Sequence, residues 1–103
     1  MQQPSEGNNR TGDEQMPELC RFYSIIIRMI YRDNTQHNKP HVHVEYNEYE
    51  ASVGIDGELL AGSIPVKQLK MVQAWLAIHE DELYRAWNHA VRGEPLGKIE
   101  PLR

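Results

Sequence analysis

Asp56-Gly57 stands between two stretches of alternating apolar and polar residues, and it limits the fold of the chain's middle more than any other feature. Asp-Gly at such a junction favours a two-residue type I′ hairpin, because both turn positions need positive φ. Tyr49, Ala51, Val53 and Ile55 form the apolar side of the strand entering the turn, and Glu58 to Ile64 returns from it. Upstream, His41, His43 and Glu45 alternate with Val42, Val44 and Tyr46, the period of a strand with one buried face. Asn47-Glu48 supplies a second two-residue turn. Two such turns predict a register in which Val44 faces Ala51, Val42 faces Val53, Val53 faces Leu60 and Ala51 faces Gly62. All these apolar residues fall on one face, so the register is self-consistent.

Leu19 to Arg32 is aromatic and β-branched, with Ile25, Ile27 and Met29 alternating against Ile26, Arg28 and Ile30. Apolar residues on both sides predict one well-buried strand. Asp33 to Lys39 reads as a polar loop, with Pro40 holding Lys39 extended. After the hairpins, Ser63 is a candidate helix cap and Pro65 suits a first turn. Leu69, Val72, Leu76, Leu83 and Trp87 then recur at helical spacing until Arg92-Gly93 supplies a stop. One long helix or two would satisfy this period. Two are expected, broken near His79-Glu80-Asp81, because acids suit a new first turn and a helical pair covers a small sheet. Leu96, Ile99 and Leu102 in the proline-bearing tail are candidate docking residues. The predicted fold is α+β: a four-stranded, mostly antiparallel meander with two C-terminal helices packed on one face.

The 103 residues suffice for one domain, expected over residues 16–103. Residues 1–15, polar and rich in turn formers, are expected to be a disordered tail. The net charge of -4 argues against a general phosphate-binding surface, though a local basic patch would escape this test. Cys20, alone, forms no intrachain disulfide and points to no oxidising compartment. No stretch approaches the ~20 apolar residues of a membrane span, and no signal core follows Met1. A cytoplasmic location without membrane contact is therefore expected.

On the predicted register the face opposite the helices carries His41, His43, Glu45, Glu50 and Ser52, with Gly54 and Ala61 leaving the imidazoles accessible. His43 falls opposite Ser52 and His41 opposite Gly54. Three readings compete for this face. Two histidines at i and i+2 could hold zinc or another divalent metal, with Glu45 or His37 as the third ligand. A neutral and a protonated imidazole could instead pass protons in RNA cleavage, with Arg28 or Lys39 stabilising negative charge. The simplest reading is a solvated sheet face that contacts a partner or the tail, since alternation of this kind is what any half-buried strand shows.

Other features carry less. Trp75 and Trp87 have core spacing. Glu80, Asp81 and Glu82 read as a charged first turn. The glycines are not gathered into a phosphate loop, and no Ser or Cys stands in a nucleophile motif.

The run Arg21-Phe22-Tyr23 to Ile30-Tyr31, followed by Lys39-Pro40-His41-Val42-His43-Val44-Glu45-Tyr46, resembles a bacterial family known as domain of unknown function 4160. Leu76-Ala77-Ile78-His79, Arg92-Gly93-Glu94-Pro95-Leu96 and Lys98-Ile99-Glu100-Pro101-Leu102 are similar to it too. Family members often carry two prolines before the histidines, where this chain has Lys39 in the first place. The resemblance implies no catalytic residues. It does imply a small protein partner, because genes of the family often adjoin those of domain of unknown function 2442 in a toxin–antitoxin-like pairing. The leading expectation is thus a protein-interaction component of such a two-gene module, a homodimer also being possible. Its rival is a nuclease, metal-free or metal-assisted, using His41, His43 and Arg28.

Overall fold

The computed structural model describes residues 17–29 and 39–103. The polar tail 1–15, His37 and most of the loop before Pro40 lie outside the described residues. Five strands form a single antiparallel meander in chain order: β1 (Glu18–Phe22), β2 (Ile25–Arg28), β3 (His41–Tyr46), β4 (Tyr49–Gly54) and β5 (Leu59–Gly62). Two helices follow, α1 (Val66–Ile78) and α2 (Glu80–Val91).

The α+β class and the helical pair agree with the sequence, but the sheet has five strands where four were expected. The segment read as one strand reverses at Tyr23-Ser24, so that Phe22 pairs with Ile25 and Cys20 with Ile27. Both turn residues have positive φ, 48° and 65°. Neither is a usual occupant of such a turn, which is why the sequence carries no sign of it. Packing supplies the reason. Folding back lets Cys20 and Phe22 share one core with Ile25 and Ile27, all buried, with no second buried face needed.

The central hairpin follows the expected register: Val44 faces Ala51, Val42 faces Val53, His43 faces Ser52 and His41 faces Gly54. Asn47, at φ 53°, starts its two-residue turn. The Asp56-Gly57 connection differs. It has three residues, closed by a bond from the Gly54 N–H to the Glu58 carbonyl at 2.8 Å, and in it Gly57 alone takes positive φ, 98°. The Asp56 carboxylate accepts the Glu58 N–H at 3.1 Å, stabilising this shape. The extra loop residue shifts the register, so Val53 faces Leu59 and Leu60 forms a bulge. Ala51 still faces Gly62.

Val42, Val44, Ala51 and Val53 meet Val72, Trp75, Leu76 and Leu83 from the helices in one core. Burial of each large side chain there contributes about 1.5–3 kcal/mol. Ser63 does not cap α1: its N–H donates to the Glu50 carbonyl at 3.0 Å, and Pro65 occupies the cap position. The helices part at His79, as expected. After α2, Gly93 at φ 73° donates to Ala90 and Glu94 donates to His89, the double bond pattern of a Schellman stop. The tail then docks as its apolar residues suggested. Ile99 is buried and donates its N–H to the Leu19 carbonyl at 3.0 Å, and Leu96 and Leu102 pack against the core.

Candidate functional site

Strand alternation treats His41 and His43 alike, yet their surroundings differ. His41 begins β3 and is only 5% exposed, its ring 5.3 Å from that of Trp87 in α2. Its Nδ1 lies 2.9 Å from the Lys39 carbonyl. A carbonyl can only accept, so Nδ1 carries the proton and, in the neutral ring, Nε2 keeps its lone pair. The expectation of two accessible imidazoles thus fails for His41. Pleating sets the direction of a Cβ, but a residue from a helix remote in sequence decides what covers the ring.

His43 sits further along β3, between Arg28 of β2 and Ser52 of β4 in the sheet register. Its Nε2 is 3.7 Å from Glu45 Oε2 and 3.7 Å from Glu50 Oε1. Arg28 Nε lies 3.3 Å from the same Glu45 oxygen. Glu45 and Glu50 face each other directly across β3 and β4, an arrangement that is repulsive by itself. Arg28 and His43 lie where they offset it. Beside the cluster is a shallow depression of about 170 Å³, lined by His43, Glu50, Ser52, Ala61 and Gly62 among others. Gly62 helps to keep it open: at φ 79°, a Cβ there would meet the Glu50 carbonyl oxygen at 2.2 Å.

Of the residues singled out in the sequence, Arg28, His43 and Glu45 come together. His41 stands apart at the helix–sheet junction, and His37 is outside the described residues. Among the described residues, no group of three or more His, Cys, Asp or Glu side chains is placed to hold a metal ion. Glu50 was read from the sequence as one of several residues on this face, and the β3–β4 register expected there, which sets it opposite Glu45, is the one observed. Lys39 changes role. Its ammonium lies 2.7 Å from Asp56 and 2.6 Å from Glu58, tying the start of β3 to the β4–β5 connection. These carboxylates raise the Lys39 pKa, and Lys39 in turn holds Asp56 below its usual value. A lysine so engaged is poorly placed to meet a developing negative charge elsewhere.

A second depression, about 260 Å³, lies between α2 and the tail, where Arg85, His89 and Lys98 line it with Leu96 and Ile99. Arg92 Nε engages Glu94 at 3.0 Å and His89 Nδ1 lies 2.5 Å from it, and these contacts, the arginine's first, hold Glu94 below the usual glutamate range. Sequence reasoning gave these residues no chemical role. No helix among the described residues is long and apolar enough to cross a membrane.

These features define a small α+β protein built on an antiparallel meander, with a histidine–carboxylate–arginine cluster on β2, β3 and β4. The chain belongs to the family described as Domain of unknown function (DUF4160), which matches residues 24–88. No curated protein and no solved structure matches it.

Proposed function

We propose that this protein is the interaction component of a two-gene, toxin–antitoxin-like module and meets its partner through the sheet surface around His43. The observation that carries this reading is the shallow depression bordered by Glu50, Ser52, Ala61 and Gly62 beside the His43 cluster. Ser52, Ala61 and Gly62 give it small side chains beside His43 and Glu50, and the nearby charges already offset one another, as suits a surface that must be desolvated on association. Two carboxylates stand there with one guanidinium and one imidazole, which favours a cationic or hydrogen-bond-donating group on the partner. The test is co-expression with the product of the adjacent reading frame. A complex should survive size-exclusion chromatography for the natural chain and be lost for Ser52→Trp, which fills the depression. No complex with the natural chain would overturn the reading, and a complex indifferent to Ser52→Trp would remove the surface.

A second reading has one observation in its favour: the Lys39 carbonyl holds His41 in the tautomer whose Nε2 could accept a proton. In that reading His41 and His43 serve as base and acid of a nuclease, with Arg28 near the phosphate. Glu45, 3.3 Å from Arg28, works against an approaching phosphate, which ranks this reading second. RNA cleavage abolished in the His41→Ala, His43→Ala double variant would raise it to first. A divalent metal on His41, His43, Glu45 and His37 remains the metal-assisted form of the same proposal, and elemental assay of untagged protein tests it.

A further inference from the structure

We propose that the depression between α2 and the tail binds a carboxylate that carries an apolar group, as the last residue of a peptide chain does. One wall is a single stripe of α2, since Glu82, Arg85, Ala86 and His89 recur at helical spacing. The other wall is the tail from Pro95 to Ile99. Both ends of that tail segment are pinned. Glu94 donates its N–H to the His89 carbonyl at 2.9 Å, and Ile99 donates its N–H to the Leu19 carbonyl at 3.0 Å. Trp75 holds the next carbonyl, that of Glu100. The walls are therefore set before a ligand arrives, which lowers the ordering cost of binding.

The donors identify the ligand's charged end. Arg21, Arg28, Lys39, Arg92 and Arg103 each engage a carboxylate of this chain. Arg85 and Lys98 line the depression and form no ion pair among the described residues. Lys98 acts on Glu18 only at longer range, and Arg21 already holds that side chain. The backbone N–H groups of Gly97 and Lys98 also have no hydrogen-bond partner among the described residues. Consecutive N–H groups beside a guanidinium are donors suited to a chain-terminal carboxylate.

Charge and size narrow the class. Glu82, with His79 Nδ1 at 2.5 Å, brings a negative charge into the lining, and His89 is taken up by Glu94. Arg85 and Lys98 against Glu82 suit one carboxylate better than a phosphate dianion, whose second charge the glutamate would repel. Ala86, Leu96 and Ile99 offer apolar surface beside the cations. The depression holds about 260 Å³, less than the ~300–1,000 Å³ of sites that enclose whole small molecules. One terminal residue fits it, with the rest of the peptide left outside. This site is separate from the surface around His43, and the inference stands independently of the function proposed above.

The experiment is a titration of the isotope-labelled full chain with an N-acetylated peptide ending in leucine, followed by amide chemical shifts. The free-acid peptide should shift the Arg85, Gly97 and Lys98 amides saturably. The same peptide amidated at its C-terminus should not. Arg85→Gln should weaken binding about tenfold while leaving the rest of the spectrum in place. Replacing the terminal leucine by glycine should weaken binding too, because the apolar contact is lost. No saturable shift at Gly97 and Lys98 with the free acid would overturn the proposal. So would equal binding of the amidated or the glycine-ended peptide, tighter binding of inorganic phosphate, or an affinity unchanged in Arg85→Gln.

Discussion

The indole of Trp75 donates its Nε1–H to the carbonyl oxygen of Glu100 at 2.7 Å, joining the buried aromatic side chain of α1 to the tail. Trp75 also packs against Phe22, with ring centroids 5.8 Å apart. Helix, β1 and tail therefore share one anchor.

Trp75→Phe should keep most of this packing while removing the donor. The expected loss is about 1 kcal/mol from the missing bond, plus a cavity contribution from the smaller ring. A urea titration followed by fluorescence of Trp87 measures it. The tail amides around Ile99 should also exchange faster with deuterium, because their dock is weakened.

Gly62→Ala should destabilise far more than a surface substitution does. The φ of 79° is strained for alanine, and the new Cβ would meet the Glu50 oxygen at 2.2 Å and the Ala51 Cα at 2.9 Å. Both are backbone atoms and cannot swing aside. A loss of about 1–3 kcal/mol is expected from the strain before steric displacement is added. Thermal unfolding checks the order: the melting temperature should fall more for Gly62→Ala than for Gly97→Ala, where nothing lies within 4 Å.

Ser24→Gly should stabilise. Ser24 has φ 65°, a conformation costing a side-chain-bearing residue roughly 1 kcal/mol or more that glycine escapes. The greater freedom of glycine in the unfolded chain offsets part of the gain. A small rise in melting temperature is the expected outcome, and a fall would contradict the left-handed turn.

Asp56 gives a pH-dependent prediction. Hydrogen bonds from Lys39 and from the Glu58 N–H hold its pKa below the unfolded value of 3.8. Its contribution is therefore present above that value and lost as pH falls through the lower folded pKa. Asp56→Asn should be less stable than the natural chain at neutral pH, and the gap should close below pH 3.8. The carboxylate is exposed, so the gap should be small and should shrink with added salt. Chemical denaturation at two pH values and two salt concentrations measures both trends.

Much of the architecture was legible because it is written in local periodicity. Strand alternation across Val42, Val44, Ala51 and Val53 records which face is buried, and with Asn47-Glu48 it gives the β3–β4 register. Gly93 after a helical period records a stop, and the acids after His79 record a restart. Tyr23-Ser24 left no such record. Their left-handed conformations are unfavourable locally and persist because β1 and β2 together bury Cys20, Phe22, Ile25 and Ile27.

For the candidate site the division falls between direction and company. The sequence determined that His43 lies opposite Ser52 and that Glu45 shares its side of β3, since pleating follows from spacing alone. Only the tertiary structure decided that Trp87 would close over His41 and that Lys39 would be held by Asp56 and Glu58. Those contacts join residues distant along the chain, and their geometry depends on how whole elements dock. Short-range pattern carries no trace of that docking.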